Sequence, residues 1–294
     1  MNIVSANKPV ILVLGGTTGL LGQAIVKEAA DRGYSVVAAG RNDFSLNDSK
    51  SLAACIDRAK PDIVCNTIAY TKVDLAEEEE DNAMHLNRAF PLMLGRVIKS
   101  RPHICLMQYS TDFVFNGRKK TPYTPDDETS PQCVYGRSKL AGEKALLELA
   151  LERCLIIRTA WLFGPGKKNF VQTILGLGTG KNTINVVHDQ TGSPTYTTDL
   201  AAYSLALSEA GGTGVFHVVN SGQASWCELA AEATRLAQME CTIMPIASCE
   251  YPQKATRPAY SVLDTSRFTE VTGITPRPWP QALADYMYST TSSI

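Results

Sequence analysis

The chain has 294 residues, more than one average domain of roughly 100–200 residues and fewer than two full ones, so one large unit with a smaller annex is expected. Twenty-eight Lys and Arg stand against 29 Asp and Glu, a net charge of −1, which lacks the positive excess that a nucleic-acid partner demands. Hydrophobic residues at 44% suffice for a sizeable core and exclude disordered or collagen-like classes. Eight cysteines (55, 65, 105, 133, 154, 227, 241, 249) include no C-x-x-C pair and read as reduced, mostly buried thiols of a cytoplasmic protein. The start Met1–Lys8 lacks a leader pattern, and no apolar stretch reaches the ~18 residues of a membrane span. The four histidines (85, 103, 188, 217) are scattered, so no metal site is expected.

In chain order, Pro9–Leu14 is a continuous apolar run of strand length, the pattern of a strand buried on both faces of a parallel sheet. Residues 22–32 repeat with helical period and end at Gly33, a left-handed cap. Further strands read at 35–39, 63–66 and 104–110, with helical patterns between them. A helix is expected from Val134 to about Leu151, and a strand over 154–159. This alternation predicts an α/β fold with a Rossmann-type doubly wound parallel sheet, whose ligand lies where the strands end. After Gly164-Pro165-Gly166 the rhythm is irregular, apart from a strand over 214–220. The expected division is a dinucleotide-binding domain over 1–163, rejoined by about 184–220, and a discontinuous α+β substrate-binding domain over 164–183 and 221–294.

Gly16-Thr17-Thr18-Gly19-Leu20-Leu21-Gly22 stands between the first strand and the first helix, a spacing of G-x-x-G-x-x-G. Glycines there let the backbone approach a pyrophosphate at the helix N-terminus. After the second strand an NAD enzyme usually carries an acid for the ribose 2′-hydroxyl, whereas this chain has Gly40-Arg41-Asn42. The Arg41 guanidinium can bind a 2′-phosphate there; its plainer reading is a solvated loop residue. Tyr135-Gly136-Arg137-Ser138-Lys139 opens the next helical segment, and residues four apart share a face, so phenol and ammonium point the same way. A carbonyl reduction needs a proton donor at the oxygen that gathers charge, and a nearby cation makes a phenol a better acid.

With Ser110-Thr111-Asp112 after the fourth strand, the chain resembles the dTDP-4-dehydrorhamnose reductase family of the extended short-chain dehydrogenases/reductases. Further matching segments are 60–64, 69–77 with Asn87, 110–117, 158–164, 189–195 and 257–261, spanning most of the chain. The resemblance implies an NADPH- or NADH-dependent reduction at C4 of a nucleotide-linked 4-keto-6-deoxyhexose, dTDP-4-dehydro-L-rhamnose giving dTDP-L-rhamnose. It implies Thr111, Tyr135 and Lys139 as the catalytic set, and Gly16, Gly19, Leu20, Leu21, Arg41, Ala69, Tyr70, Asn87, Tyr135 and Lys139 around the cofactor. Asp112 and Trp161 match positions that line the sugar pocket, and Arg257 matches a contact to the substrate's diphosphate. Plainer readings stay open for these three: a turn cap, a core residue and a surface ion pair. Glu77-Glu78-Glu79-Glu80 reads as a solvated first helical turn, and Lys119-Lys120 and Lys167-Lys168 as solvated loop charges, the latter pair near enough to the annex to be diphosphate contacts.

Three departures from the family stand out. Phe113 replaces a frequent Tyr, Thr67-Ile68 replaces two small residues beside the cofactor, and Thr197-Thr198 stands where some members carry an acid associated with a dimer-interface magnesium. Two other functions remain: a non-catalytic cofactor-binding subunit similar to the beta subunit of methionine adenosyltransferase, and a sugar-nucleotide dehydratase or epimerase. Neither a nucleic acid nor a membrane is expected as a partner, and a homodimer is left open.

Overall fold

A computed structural model describes residues 8–291, so Met1–Asn7, read above for a leader, lie outside the described residues. The first half runs β1 (Val10–Leu14), α1 (Leu20–Asp31), β2 (Ser35–Ala39), α2 (Ser49–Ala59), β3 (Ile63–Asn66), α3 (Val73–Ala76) and α4 (Glu80–Met84). A π-helical segment (His85–Ala89) leads into α5 (Phe90–Lys99), followed by β4 (Cys105–Thr111), α6 (Val134–Glu148) and β5 (Cys154–Thr159). The second half runs β6 (Leu162–Phe163), α7 (Phe170–Gly178), β7 (Thr183–Val187), β8 (Thr191–Gly192), β9 (Thr195–Tyr196), α8 (Thr197–Glu209) and β10 (Gly214–His217). It closes with β11 (Ala224–Ser225), α9 (Trp226–Leu236), β12 (Thr242–Ile246), α10 (Ser266–Thr272) and α11 (Trp279–Thr291).

Six strands form one sheet in the order β10-β5-β4-β3-β1-β2, and every pairing in it is parallel. The apolar runs at 11–14, 63–65, 105–107 and 155–157 are buried on both faces because helices cover both sides. One side packs α1, α8 and Phe268 of α10 against Ile11, Val13, Cys65 and Ile157. The other packs α2, α5 and Leu146 of α6 against Leu12, Leu14, Val64 and Ile156. The chain leaves β1 toward β2 and returns to β3 on the opposite side, so a crevice opens between the carboxyl ends of β1 and β3.

A second apolar group gathers Phe163, Val171, Tyr196, Leu229, Ala233, Leu283 and Tyr286, flanked by Ile174, Ile184, Val186 and Ala230. Here the expected boundaries shift. Strand β7 pairs with β12 rather than with the large sheet, so the return to the sheet unit comes with α8 and not at residue 184. Phe268, assigned by sequence to the annex, is fully buried in the sheet's core.

Two helix limits also move. Helix α1 starts at Leu20, not Gly22, because Gly22 serves close packing inside the helix. Helix α6 ends at Glu148, and Ala150 takes a φ of +47° as the chain turns toward β5.

Candidate active site

The glycine turn leaves β1 at Gly15, whose φ of +84° suits glycine. A Cβ on Gly19 would lie 2.9 Å from the Gly15 carbonyl oxygen and one on Gly22 only 2.5 Å from it, so α1 sits flush on the turn. Gly19 is the N-cap and no side chain caps the helix. The first-turn amides of α1, including Leu20 and Leu21, therefore point their donors and the positive dipole end at the crevice. The Leu21 side chain is buried in the sheet's core, which leaves its backbone for a ligand. Gly16 bonds back to the Val13 carbonyl at 3.2 Å, and Thr67, whose hydroxyl donates to the Leu14 carbonyl at 2.8 Å, closes the turn from β3. Arg41 is exposed at the end of β2 with no ion-pair partner among the described residues.

Ala69 and Tyr70 follow β3, on the opposite wall of the crevice. The Tyr70 amide donates to Asn87 Oδ1 at 2.9 Å, and Asn87 Nδ2 donates to the Tyr70 carbonyl at 3.0 Å and to the Ser138 hydroxyl at 2.9 Å. Asn87 is 1% exposed, so its amide is consumed within the protein. Asn87 thus bridges the crevice wall to the middle of α6. The Glu77–Glu80 run also departs from expectation: only Glu80 of the four lies in the first turn of α4. Glu77 accepts the Val134 amide at 2.8 Å at the start of α6, Glu78 pairs with Lys254, and Glu79 accepts the Tyr70 hydroxyl at 2.9 Å.

Thr111 is the last residue of β4 and α6 runs beside it. The Thr111 hydroxyl donates to Asp112 Oδ1 at 3.0 Å and accepts the Phe113 amide at 3.2 Å. Tyr135, in the first turn of α6, is half-buried, with the Phe113 ring edge-on at 5.5 Å. Burial raises its phenol well above the ordinary value of 10.0; Thr111 opposes the rise and the Asp112 charge adds to it. The phenol is therefore protonated at neutral pH. Lys139 is 5% exposed, and its ammonium donates to the Tyr109 carbonyl at 2.5 Å, which uses one of its three donors. Burial lowers it to about 8. Asp112, 2% exposed, is pushed up to about 6 by burial against the pull of the Ser261 and Thr111 hydroxyls. Its Oδ2 is buried without a hydrogen-bond partner.

One C-terminal segment lines this site, and sequence reasoning caught only part of it. Asp74 accepts the amides of Lys254 and Ala255, each at 3.1 Å, and both Nη atoms of Arg257, at 2.9 and 2.6 Å. Arg257 therefore stands in an ion pair. The Tyr260 amide then bonds the Gly117 carbonyl at 3.2 Å, and the Ser261 hydroxyl faces Asp112. Trp161 takes a φ of +48° and stacks flat on Trp226, with ring centroids 3.5 Å apart and planes within 3°. It packs against both the annex core and the cluster around Phe115, so it stands between the two units.

These features fit a dinucleotide: an uncapped helix N-terminus behind a glycine turn, a guanidinium after β2 without an ion-pair partner among the described residues, and a buried ammonium with donors to spare. Fold and site together define an extended short-chain dehydrogenase/reductase. The chain belongs to the RmlD substrate binding domain family, whose model matches residues 10–292. It is 38% identical to dTDP-4-dehydrorhamnose reductase of Streptomyces griseus, over 92% of this chain and 90% of that protein. It is 37% identical to dTDP-4-keto-6-deoxy-D-glucose reductase of Streptomyces niveus, over 91% and 93% respectively. The structure matches that of dTDP-4-dehydrorhamnose reductase from Bacillus anthracis in complex with NADP at a TM-score of 0.91 and 30% identity, covering 96% of this chain and 99% of that one.

Proposed function

We propose that the protein is an NAD(P)H-dependent reductase of the C4 ketone of a dTDP-linked 4-keto-6-deoxyhexose, with Thr111, Tyr135 and Lys139 as its catalytic set. The observation that supports this reading is that Tyr135 and Lys139 share one face of α6, one helical turn apart, with the Thr111 hydroxyl acting on the Tyr135 phenol. Relatives of nearly equal identity are named for dTDP-4-dehydrorhamnose and for dTDP-4-keto-6-deoxy-D-glucose, so what they share is the reaction at C4.

The reduced nicotinamide, when bound, supplies the hydride. The backbone of Gly16, Gly19, Leu20 and Leu21 receives the pyrophosphate, Arg41 a 2′-phosphate, and Ala69 and Tyr70 form the far wall. The spare donors of Lys139 hold the ribose hydroxyls. Tyr135 gives its proton to the substrate's C4 oxygen as charge develops there, a contribution of about 10²–10⁴-fold in rate. Thr111 orients that oxygen beside the phenol. Lys139 supplies positive charge that makes the phenol a stronger acid than burial alone allows. Asp112 and Trp161 line the sugar pocket, and Arg257, held by Asp74, stands for the diphosphate. The Phe113 ring beside Tyr135 cannot accept a proton, which disfavours an elimination at C5. A cytoplasmic location, where the thiols stay reduced, belongs to the same reading; no helix among the described residues is long and apolar enough to cross a membrane.

The test is incubation with NADPH and a dTDP-4-keto-6-deoxyhexose generated in situ, with the product sugar identified by NMR. One NADPH oxidised per 4-hydroxy product is the expected result. Conversion of dTDP-glucose to a 4-keto-6-deoxy product without net cofactor consumption would replace the reductase by a dehydratase.

A further inference from the structure

A buried ionic cluster lies directly beneath Lys139 and takes no part in the reading above. Glu143 follows Lys139 by four residues, so both side chains share one face of α6. Glu143 is 2% exposed, and it receives Arg158 Nε at 3.1 Å and Arg158 Nη2 at 2.7 Å, along with the hydroxyl of Ser110. Arg158, 4% exposed on β5, lies over the Phe115 ring at 5.2 Å and donates to the Pro125 carbonyl at 3.2 Å. Ser110 and Arg158 are register partners across β4 and β5, and Ser110 immediately precedes Thr111. The cluster is therefore built into the same strand end and helix as the catalytic set. A fully buried ion pair is a weak source of stability because desolvation offsets its attraction, so its presence here asks for another reason.

We propose that Glu143, pinned by Arg158 and Ser110, is the buried counter-charge of the Lys139 ammonium and a positioning residue for the Tyr135–Lys139 pair. The inference rests on the reading of Lys139 as the cation that serves Tyr135. The titratable and charged groups linked to this ammonium are Tyr135 and Glu143 on its own helix, Asp112 after β4 through Tyr135, and Arg158 on β5 and His217 on β10 through Glu143; β4 offers it the Tyr109 carbonyl, while the Tyr109 phenol packs in the core on the other face of the sheet. Burial drives a proton off Lys139, and among these groups Glu143 is the one whose charge opposes it. Asp112 acts on Tyr135 instead. His217 is held neutral, lowered to about 3 by burial and by Arg158, so it adds no charge at working pH. Arg158 holds the Glu143 carboxylate in place through Nε at 3.1 Å and Nη2 at 2.7 Å. Remove the carboxylate and a second cation is left facing the lysine's surroundings.

The experiment compares wild type with Glu143→Gln, Glu143→Asp and the charge-balanced Glu143→Gln/Arg158→Met, measuring kcat/KM against pH and, separately, NADPH affinity against pH by fluorescence. Both Gln variants should lose kcat/KM and NADPH affinity at a pH about one unit lower than wild type, the lower end of the effect of an opposite charge a helical turn away. Glu143→Asp should return the limb toward the wild-type position. The double variant removes the unpaired guanidinium, so it remains informative if Glu143→Gln alone fails to fold. A folded double variant whose alkaline limbs superimpose on wild type in both measurements overturns the proposal. Lys139→Met separates the two levels: if it keeps wild-type kcat and pH dependence, the reading of Lys139 fails and the inference with it. If Lys139→Met loses them while the Glu143 variants keep the wild-type limbs, only the inference falls.

Discussion

Replacing Asp112 by Asn should stabilise the protein at neutral pH while damaging turnover, and the size of the gain follows from the burial of the carboxyl. Asp112 is 2% exposed and its pKa is raised by burial from 3.8 to about 6. An acid with a raised folded-state pKa contributes stability that is fully present below about 3.8 and is lost as pH climbs through about 6. At roughly 1.36 kcal/mol per pH unit, the ionised carboxylate costs about 3 kcal/mol at pH 7 and above. The asparagine side chain has the same shape and no charge, so it avoids that cost, less whatever its amide hydrogens lose by lacking acceptors where Oδ2 is unpartnered. The expected gain is about 1–3 kcal/mol at pH 7.5. With an unfolding entropy of roughly 0.6 kcal/mol/K for a chain of this length, that raises Tm by about 2–5 °C. Calorimetry of both proteins between pH 4.5 and 7.5 is the assay, and the gap should widen by about 2 kcal/mol across that range. A gap that stays constant with pH, or a variant less stable at pH 7.5 than at pH 4.5 relative to wild type, refutes the assignment of a strained buried carboxylate.

Tyr135→Phe should lower kcat by about 10²–10⁴-fold and leave NADPH affinity within about twofold, as read by single-turnover kinetics and fluorescence titration; retention of half the activity removes the proton donor. Gly22→Ala places a Cβ 2.5 Å from the Gly15 carbonyl oxygen and must push the turn off α1, so NADPH affinity should fall by about tenfold or more in calorimetric titration. Arg41→Ala should reduce kcat/KM for NADPH by about tenfold and for NADH little, since the role proposed for the guanidinium is to bind a 2′-phosphate; equal losses with both cofactors would remove it from the argument. Exhaustive chelation should leave activity unchanged, because Thr197-Thr198 supplies no carboxylate where some relatives carry one; loss in EDTA restored by magnesium would place a metal on other residues.

Local signals were legible in the chain. The apolar runs at 11–14, 63–65 and 155–157 read as interior parallel strands, since such segments suit burial on both faces. The glycine spacing and Tyr135-x-x-x-Lys139 were equally readable, because a turn's φ and a helix's four-residue repeat are set within a few residues. Other features depend on partners far away in sequence, and only the fold supplied them. The resemblance names Asn87 as a cofactor contact, but its bonds to Tyr70 and Ser138 are visible only in the fold. The four glutamates look like one solvated run, yet Glu77 caps α6 and Glu79 holds Tyr70. Asp74 meets Arg257 across 183 residues, which no local pattern can announce. The pKa of Asp112 and the counter-charge under Lys139 likewise arise from burial and from β5 lying against β4. Desolvation and long-range pairing are properties of the packed molecule: the sequence by itself determined the strands, the glycine turn and the helical spacing of Tyr135 and Lys139, and the tertiary structure decided the protonation of buried groups, their partners and where the two units meet.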